Sequence, residues 1–222
     1  MLFKLKACVV VATLLLVFDD ASTPRNQARR AIVIDERFSA LREFPDVGAK
    51  VKQRLRRGRV VWVTETRRSR DGHEFVRAAV SRRTSGWIAS IAIVSRGRKS
   101  DARRLIELIE QTADDFVKIR LARICADEFR ATPFAPAALA MLAQGAERSA
   151  ERLTVASRKR SGGNDDFAIA NDISLDRFSR IGVRFKAIDG KLVYDGAAWR
   201  EIARLYPRSA EAYFLPPNSS TR

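Results

Sequence analysis

The stretch TSGWIASIAIV, residues 84–94, decides how the first half of this chain folds. A polar turn is followed by Gly86 and Trp87, and then by small and β-branched residues that carry no charge. In a chain with 31% charged residues, such a run predicts a buried strand. We expect Gly86 to permit a tight turn and Trp87 to be buried, which stabilises a small domain by about 2–3 kcal/mol.

Other strand-like runs precede this stretch at regular spacing. They are rich in Val and Ile or alternate between apolar and polar residues, and turn residues separate them, as is typical of short strands. The clearest are AIVI (31–34), RVVWVTET (59–66) and EFVRAAV (74–80). Val61, Trp62 and Val63 are expected to line positions next to Trp87. Several short strands at this spacing predict a small all-β barrel or sandwich.

The pattern becomes helical near Ser100, which is a candidate N-cap. Apolar residues recur at helical spacing through residue 129, with a bend expected near Ala113. A second long helix follows the TPFAP break at residues 132–136, and a solvated loop is expected at residues 157–166. The predicted class is therefore α+β multidomain, with a β module at residues 31–95 and an α-helical domain at residues 100–215.

Positive charge is concentrated in the same half of the chain as the strands. The whole chain has a formal charge of +16, and residues 25–99 carry 20 Lys and Arg against 7 Asp and Glu. Most of these residues are Arg, whose planar guanidinium suits bidentate contacts with carboxylate or phosphate. Two interpretations stay open. The arginines form a binding surface for an anion, or they are solvated surface residues that a GC-rich genome encodes wherever a surface cation is tolerated.

The N-terminus has the pattern of a targeting segment. Lys4 and Lys6 precede ACVVVATLLLVF (7–18), which is shorter than the roughly 20 apolar residues that span a bilayer. Residues 1–22 are therefore predicted to be a signal peptide or a short membrane anchor, and a buried N-terminal helix is the alternative. The first interpretation predicts a periplasmic or secreted protein that remains attached to the membrane if the segment is not cleaved.

Few residues offer catalytic chemistry, and we predict no catalytic, metal or cofactor-binding residue. His73 lies in a turn, and Cys125 lies in a helical pattern typical of a packing thiol. A zinc site needs three or four ligands at defined spacing, which this sequence does not offer. Asp165, Asp166 and Asp172 lack the spacing of a calcium loop. A glycosidase that uses only carboxylates stays open.

Two segments of the predicted β module resemble bacterial SH3-like domains of cell-envelope proteins. They are ALREFPDVGAKVKQRLRRGRVVWV (40–63) and HEFVRAAVSRRTSGWIASIAIV (73–94). The matching features are an apolar residue and Arg before a Pro turn, a Gly before a β-branched strand, and a Gly–Trp pair before the closing strand: Leu41, Arg42, Pro45, Gly58, Gly86 and Trp87. Phe75 stands where the family usually has Trp or another aromatic residue. The departure is TRRSRDG (66–72), which is longer and more charged than the family's pattern.

The segment YDGAAWREIARLYPRSAEA, residues 194–212, is weakly similar to part of a tetratricopeptide unit. Together the two resemblances imply a non-enzymatic exported envelope protein. Its SH3-like barrel would bind a peptide or cell-wall ligand, and its helical part would be a scaffold for protein interaction. The ligand-binding residues are not predicted.

Two alternatives remain at this point, a cell-wall hydrolase with an unrecognised site and a nucleic-acid-binding protein. The first would place its active site in the helical half of the chain. The second would bind DNA or RNA through the basic residues of the β module, with steep salt dependence. The N-terminal segment disfavours nucleic acid, because the anions outside the cytoplasmic membrane are lipid headgroups, wall polymers and acidic proteins.

Overall fold

A computed structural model describes residues 28–98, 100–160 and 173–213 of the chain. In these residues a seven-stranded antiparallel sheet is followed by helices and a separate two-stranded hairpin. The predicted α+β class is therefore confirmed. The N-terminal segment 1–22 and the acidic residues 165, 166 and 172 lie outside the described residues.

The sheet has two free edges. Its strands are β1 (Arg29–Val33), β2 (Ala40–Arg42), β3 (Val51–Arg54), β4 (Val60–Arg68), β5 (Glu74–Ala79), β6 (Ser85–Ala89) and β7 (Ile93–Val94). They lie in the order β3-β2-β6-β5-β4-β1-β7. Because β3 and β7 each pair on one side only, the sheet is not closed into the barrel that the sequence predicts.

The stretch at residues 84–94 forms two strands instead of one. Strand β6 ends at Ala89, a single 3₁₀ turn follows at Ser90–Ala92, and β7 then pairs antiparallel with β1. The chain therefore changes direction at the turn and brings the last strand of the sheet beside the first. The sequence does not predict β2 and β3 as separate strands. Strand β3 has the polar sequence VKQR and is exposed throughout, so it lacks the apolar pattern of a buried strand.

One face of the sheet carries its own hydrophobic core. Val61 and Val63 are buried there, as predicted, together with residues from five other strands and the 3₁₀ turn. Trp62 lies between them in sequence and therefore points to the opposite face of β4, because side chains alternate along a strand. Its side chain is 47% exposed, so the prediction that it lines the core beside Val61 and Val63 is wrong.

Trp87 is buried, but on the other face of the sheet from this core. Its neighbour Ile88 is a core residue, whereas Trp87 is in register with Arg77 of β5 and Arg42 of β2. Residues in register on antiparallel strands share a face, and Arg77 is exposed. Trp87 is only 7% exposed, so the predicted burial is confirmed, but it lies outside the core that holds Val61 and Val63, so the prediction that these residues line positions next to it is wrong.

Gly86 lies within strand β6 and does not form the predicted tight turn. A Cβ atom at this position would lie 2.6 Å from the carbonyl oxygen of Arg42 and 2.8 Å from Cγ of Leu41. Glycine is therefore required because β2 approaches β6 closely at this point.

The second half of the described chain is mainly helical. Its helices are α1 (Asp101–Gln111), α2 (Asp115–Glu128), α3 (Phe134–Arg160), α4 (Ile173–Ser179), α5 (Ala197–Leu205) and α6 (Ala210–Tyr213), and its strands are β8 (Phe185–Ile188) and β9 (Lys191–Tyr194). The predicted bend near Ala113 is a complete break between α1 and α2. Helix α3 extends through the first four residues of the loop predicted at 157–166.

The helix boundaries follow from local chemistry. The Asp114 side chain accepts a hydrogen bond from the amide of Val117 at 2.8 Å and so caps α2. Ser100 precedes α1, but its side chain makes no capping hydrogen bond. Pro136 lies in the first turn of α3, where the missing amide hydrogen removes no helical hydrogen bond.

The sheet and the helices share a second hydrophobic core. Ile32, Ile34 and Val94 belong to the same buried cluster as residues of α1, α2, α3 and α5. Two arginines of the sheet half, Arg30 and Arg96, also form ion pairs with Glu128 at the end of α2. The packing therefore fixes the turn before β4 against α2, where the candidate site lies.

Candidate anion-binding site

The turn that joins β3 to β4 borders a depression with a volume of about 430 Å³. We call it the arginine depression, and its wall is formed by Gln53, Arg54, Leu55, Arg56, Arg57, Gly58, Arg59 and Arg120. The first seven residues are consecutive, whereas Arg120 comes from α2. The depression therefore lies between the sheet and the helical part of the molecule.

Backbone hydrogen bonds hold the turn against the end of β1. The Gly58 amide donates to the carbonyl of Val33 at 2.7 Å, and the Arg57 amide donates to Oε1 of Glu36 at 2.8 Å. Nε of Arg57 donates to the carbonyl of Ile34 at 2.7 Å. Gly58 has φ = +79°, a left-handed conformation that strains other residues, so glycine is needed here.

Arg120 joins α2 to the turn. Its Nη2 donates a hydrogen bond to the carbonyl of Arg57. A Cβ atom on Gly58 would lie 2.7 Å from the same nitrogen, so the missing side chain leaves space for the guanidinium. Arg120 is half-buried, and this hydrogen bond holds its charge at the wall of the depression.

The arginine depression has no acidic residue in its wall. Arg54, Arg56 and Arg59 are exposed, and none of the three forms an ion pair or side-chain hydrogen bond within the part of the chain that the structure describes. Five guanidinium groups thus line one space, and the nearest carboxylates, Glu36 and Asp35, lie behind the turn, where Glu36 accepts the hydrogen bond of the Arg57 amide. Mutual repulsion among the guanidinium groups favours an anion in that space, and such groups bind carboxylate and phosphate oxygens through charge-assisted hydrogen bonds.

A second depression of the same volume has a different electrostatic character. It lies between α1, α2 and α3, and its wall contains Asp115 together with Arg148 and Arg152. Asp115 is buried and forms ion pairs with Arg148 at 3.2 Å and Arg152 at 3.0 Å. The carboxylate of Asp115 thus offsets part of the positive charge of the two arginines, so an external anion is less favoured in this depression.

The basic residues noted in the sequence do not gather in one place. Arg68 and Arg70 lie at the hairpin that joins β4 to β5, at the end of β4 opposite Val60. With nine residues in β4 and a rise of about 3.3 Å per residue, they are about 25 Å from the arginine depression along the strand. The hairpin therefore forms a separate basic region.

Trp87 is covered by a charged side chain instead of facing a groove. The guanidinium of Arg67 lies over its ring, 5.2 Å from the centroid, and Nε of Arg67 pairs with Glu65 at 2.5 Å. Cation–π stacking of this kind explains how an indole on the outer face is kept from water. Phe75 of β5 is also buried.

The residues considered for catalysis take the places that the sequence predicts. His73 is exposed in the hairpin turn, where its amide donates to Oγ of Ser69 at 3.1 Å. Cys125 is buried in the shared core, and desolvation raises the pKa of its thiol to about 12. The thiol is therefore protonated at neutral pH and unsuited to nucleophilic attack. Among the described residues, no group of His, Cys, Asp and Glu is arranged to hold a metal ion.

The sequence places the basic residues in the β module without predicting which of them bind a ligand, and it gives no indication of the role of Arg120. Nothing in the helical pattern of α2 distinguishes this residue from other polar positions, and it lies 61 residues beyond Arg59. The signal that could have pointed to the site is the density of Arg around Gly58.

Comparison with known proteins gives no relative: no family model, curated protein or solved structure matches the chain. None of the helices in the described ranges is both long and apolar enough to cross a membrane.

Proposed function

We propose that this chain is a non-enzymatic, exported bacterial envelope protein that binds a carboxylate-bearing ligand in the arginine depression. The observation that carries the proposal is the set of five arginines in the wall of one depression, three of which form no ion pair within the described residues. In this proposal the strands form an SH3-like module, and the helices form a scaffold that completes the binding site with Arg120.

The strand connections support the SH3-like module. The last strand, β7, returns through a 3₁₀ turn to pair with the first, β1, and β2 pairs with β6 across the intervening meander. A short sheet that brings its first and last strands together in this way curls towards a barrel. Arg42 and Trp87 both belong to the SH3-like sequence pattern, and they lie opposite each other in the sheet, since Arg42 of β2 is in register with Trp87 of β6.

The contribution of the helices supports the scaffold role. Arg120 reaches the turn from α2, and the shared core holds α2 against β1 through Ile32 and Ile34. A ligand in the depression would therefore contact both halves of the molecule, and its affinity would depend on their relative position. Binding would in turn stabilise the sheet–helix arrangement.

Binding of an acidic peptide tests the proposal directly. Fluorescence anisotropy of a labelled glutamate-rich peptide is measured with the full-length protein and with Arg56→Glu. Charge reversal within the depression is expected to weaken binding at least about tenfold. Arg70→Glu makes the same change in net charge about 25 Å away, so it is the matched control and is expected to change affinity by about twofold or less.

If Arg56→Glu and Arg70→Glu lose the same peptide affinity, binding depends only on net charge, and the arginine depression is rejected as the binding site. A single-stranded oligonucleotide of equal charge that binds more tightly than the peptide would favour the nucleic-acid alternative. Cell fractionation tests the location, since recovery of the protein with the soluble cytoplasm would contradict export.

A further inference from the structure

The edge strand β3 runs directly into the arginine depression. It pairs with β2 on one side, no strand of the described residues pairs with its other side, and all four of its residues are exposed. Gln53 and Arg54 belong to β3 and also line the depression, and the chain continues along its wall to Arg59. The free edge and the depression thus form one continuous surface.

Backbone amides along this edge alternate between inward and outward directions. The Leu55 amide donates to the carbonyl of Ser39 at 3.2 Å, and the Arg57 amide donates to Glu36 at 2.8 Å. By the alternation of an extended strand, the amide of Arg54 points away from β2. Arg56 lies beyond the strand, where its carbonyl accepts a hydrogen bond from the Arg59 amide at 3.0 Å and so closes the turn. No hydrogen-bond acceptor for the Arg56 amide exists among the described residues.

Unpaired edges of this kind bind extended segments through main-chain hydrogen bonds. Arg54 ends β3 and Arg56 begins the turn, and both residues line the depression. Arg54 therefore offers an outward amide at the strand edge, and both residues offer a guanidinium without an ion pair in the described chain. A segment that pairs with the backbone would place its own side chains beside these guanidinium groups.

Charge decides which segment can pair here. Lys52, Arg54 and Arg56 all carry positive charge, so two copies of this edge would place like charges opposite each other. An acidic strand would instead form cross-strand pairs of opposite charge. The edge is therefore protected against self-association and open to a glutamate- or aspartate-bearing segment.

We propose that the ligand is an extended acidic peptide segment that adds a strand to the free edge of β3, with alternate carboxylates in the arginine depression. This inference rests on the proposed function, because it specifies how the carboxylate ligand is held. It further requires backbone pairing, which a purely electrostatic complex does not.

A synthetic peptide separates backbone pairing from electrostatics. The parent is a peptide of about eight residues that alternates Glu and Thr, so all carboxylates share one face when it is extended. Two derivatives carry N-methyl groups on the Glu amides or on the Thr amides, which removes the donors along one edge without changing the charge. In an added strand only one edge faces β3, and alternate carboxylates fix the register.

We expect one N-methylated derivative to bind the full-length protein about tenfold more weakly than the parent, and the other to bind about equally. If both derivatives match the parent, strand addition is rejected, whereas the proposed function survives as electrostatic binding. If the parent also fails to bind, both proposals are rejected.

A pair of variants tests the same point on the protein. Arg54→Ala and Arg54→Pro remove the same charge, but only the second also removes the outward amide. Proline is tolerated at an edge position whose amide faces solvent, so both variants are expected to keep the thermal midpoint of the wild type within a few degrees. Arg54→Pro is expected to bind the parent peptide about tenfold more weakly than Arg54→Ala. Equal affinities in two folded variants would overturn the proposal.

Discussion

At the scale of single residues, the sheet depends on two glycines that are needed for different reasons. Gly58 adopts φ = +79°, which the turn before β4 requires. Gly86 is part of a regular strand, and its constraint is the backbone of β2, since a Cβ would lie 2.6 Å from the carbonyl oxygen of Arg42. The first is a local requirement of the chain, whereas the second arises only when two distant strands pair.

Gly86→Ala is expected to lower the free energy of unfolding by about 2–3 kcal/mol, because a backbone atom must move to admit the methyl group. Urea denaturation followed by circular dichroism measures the change. Gly97→Ala is the matched control, since its Cβ would meet only the flexible side chain of Arg29 at 3.7 Å. If Gly86→Ala lowers the free energy of unfolding by no more than the control does, β2 and β6 are not in close contact.

At the scale of elements, the sequence predicts the strands and helices whose residue pattern reflects burial. Strands β4, β5 and β6 are rich in buried β-branched or aromatic residues, and the break near Ala113 follows from the loss of apolar periodicity. Strand β3 has no such pattern, because it is an exposed edge that only its pairing with β2 defines. The candidate site was half predictable for the same reason: the arginines of the turn are adjacent in sequence, while tertiary packing brings Arg120 to them.

The start of α1 is tied to the sheet by a buried carboxylate. Asp101 is 2% exposed and accepts a hydrogen bond from the Ser95 amide at 2.8 Å. It also forms ion pairs with Arg98 at 3.4 Å and Arg104 at 3.3 Å. Burial lowers the pKa of the Arg104 guanidinium, whereas the charge of Asp101 raises it, and the guanidinium also donates to the carbonyl of Ile93.

Asp101→Ala is expected to destabilise the protein by about 2–3 kcal/mol, because it removes the ion-pair partner of the partly buried Arg104 and one of the two carboxylates that pair with Arg98. Asp101→Asn keeps an acceptor for the Ser95 amide, so its loss of unfolding free energy should be smaller. The same urea measurement on Asp127→Ala provides the control, since the Asp127 side chain is 41% exposed and its pair with Arg123 within α2 should contribute about 0.5 kcal/mol. Similar losses in Asp101→Ala and Asp127→Ala would contradict a structural role for the buried carboxylate.

At the scale of the whole molecule, the shared core couples the strands to the helices. Ile32, Ile34 and Val94 are buried among residues of the helices, and the ion pairs of Glu128 with Arg30 and Arg96 join the same surfaces. Neither half can unfold without exposing apolar surface of the other. A cooperative transition in both halves is the expected consequence.

Two signals report separately on the two halves. In a Trp199→Phe variant the remaining tryptophans, Trp62 and Trp87, both lie in strands of the sheet, while far-ultraviolet circular dichroism reports mainly on the helices. We expect both signals to give the same urea midpoint. Adding Ile34→Ala should lower both midpoints together, with a loss of about 3 kcal/mol, because the truncated side chain is buried in the shared core. Two separated transitions, or a shift of the tryptophan signal alone, would mean that the strands and helices fold independently and that Arg120 is not held in place at the arginine depression.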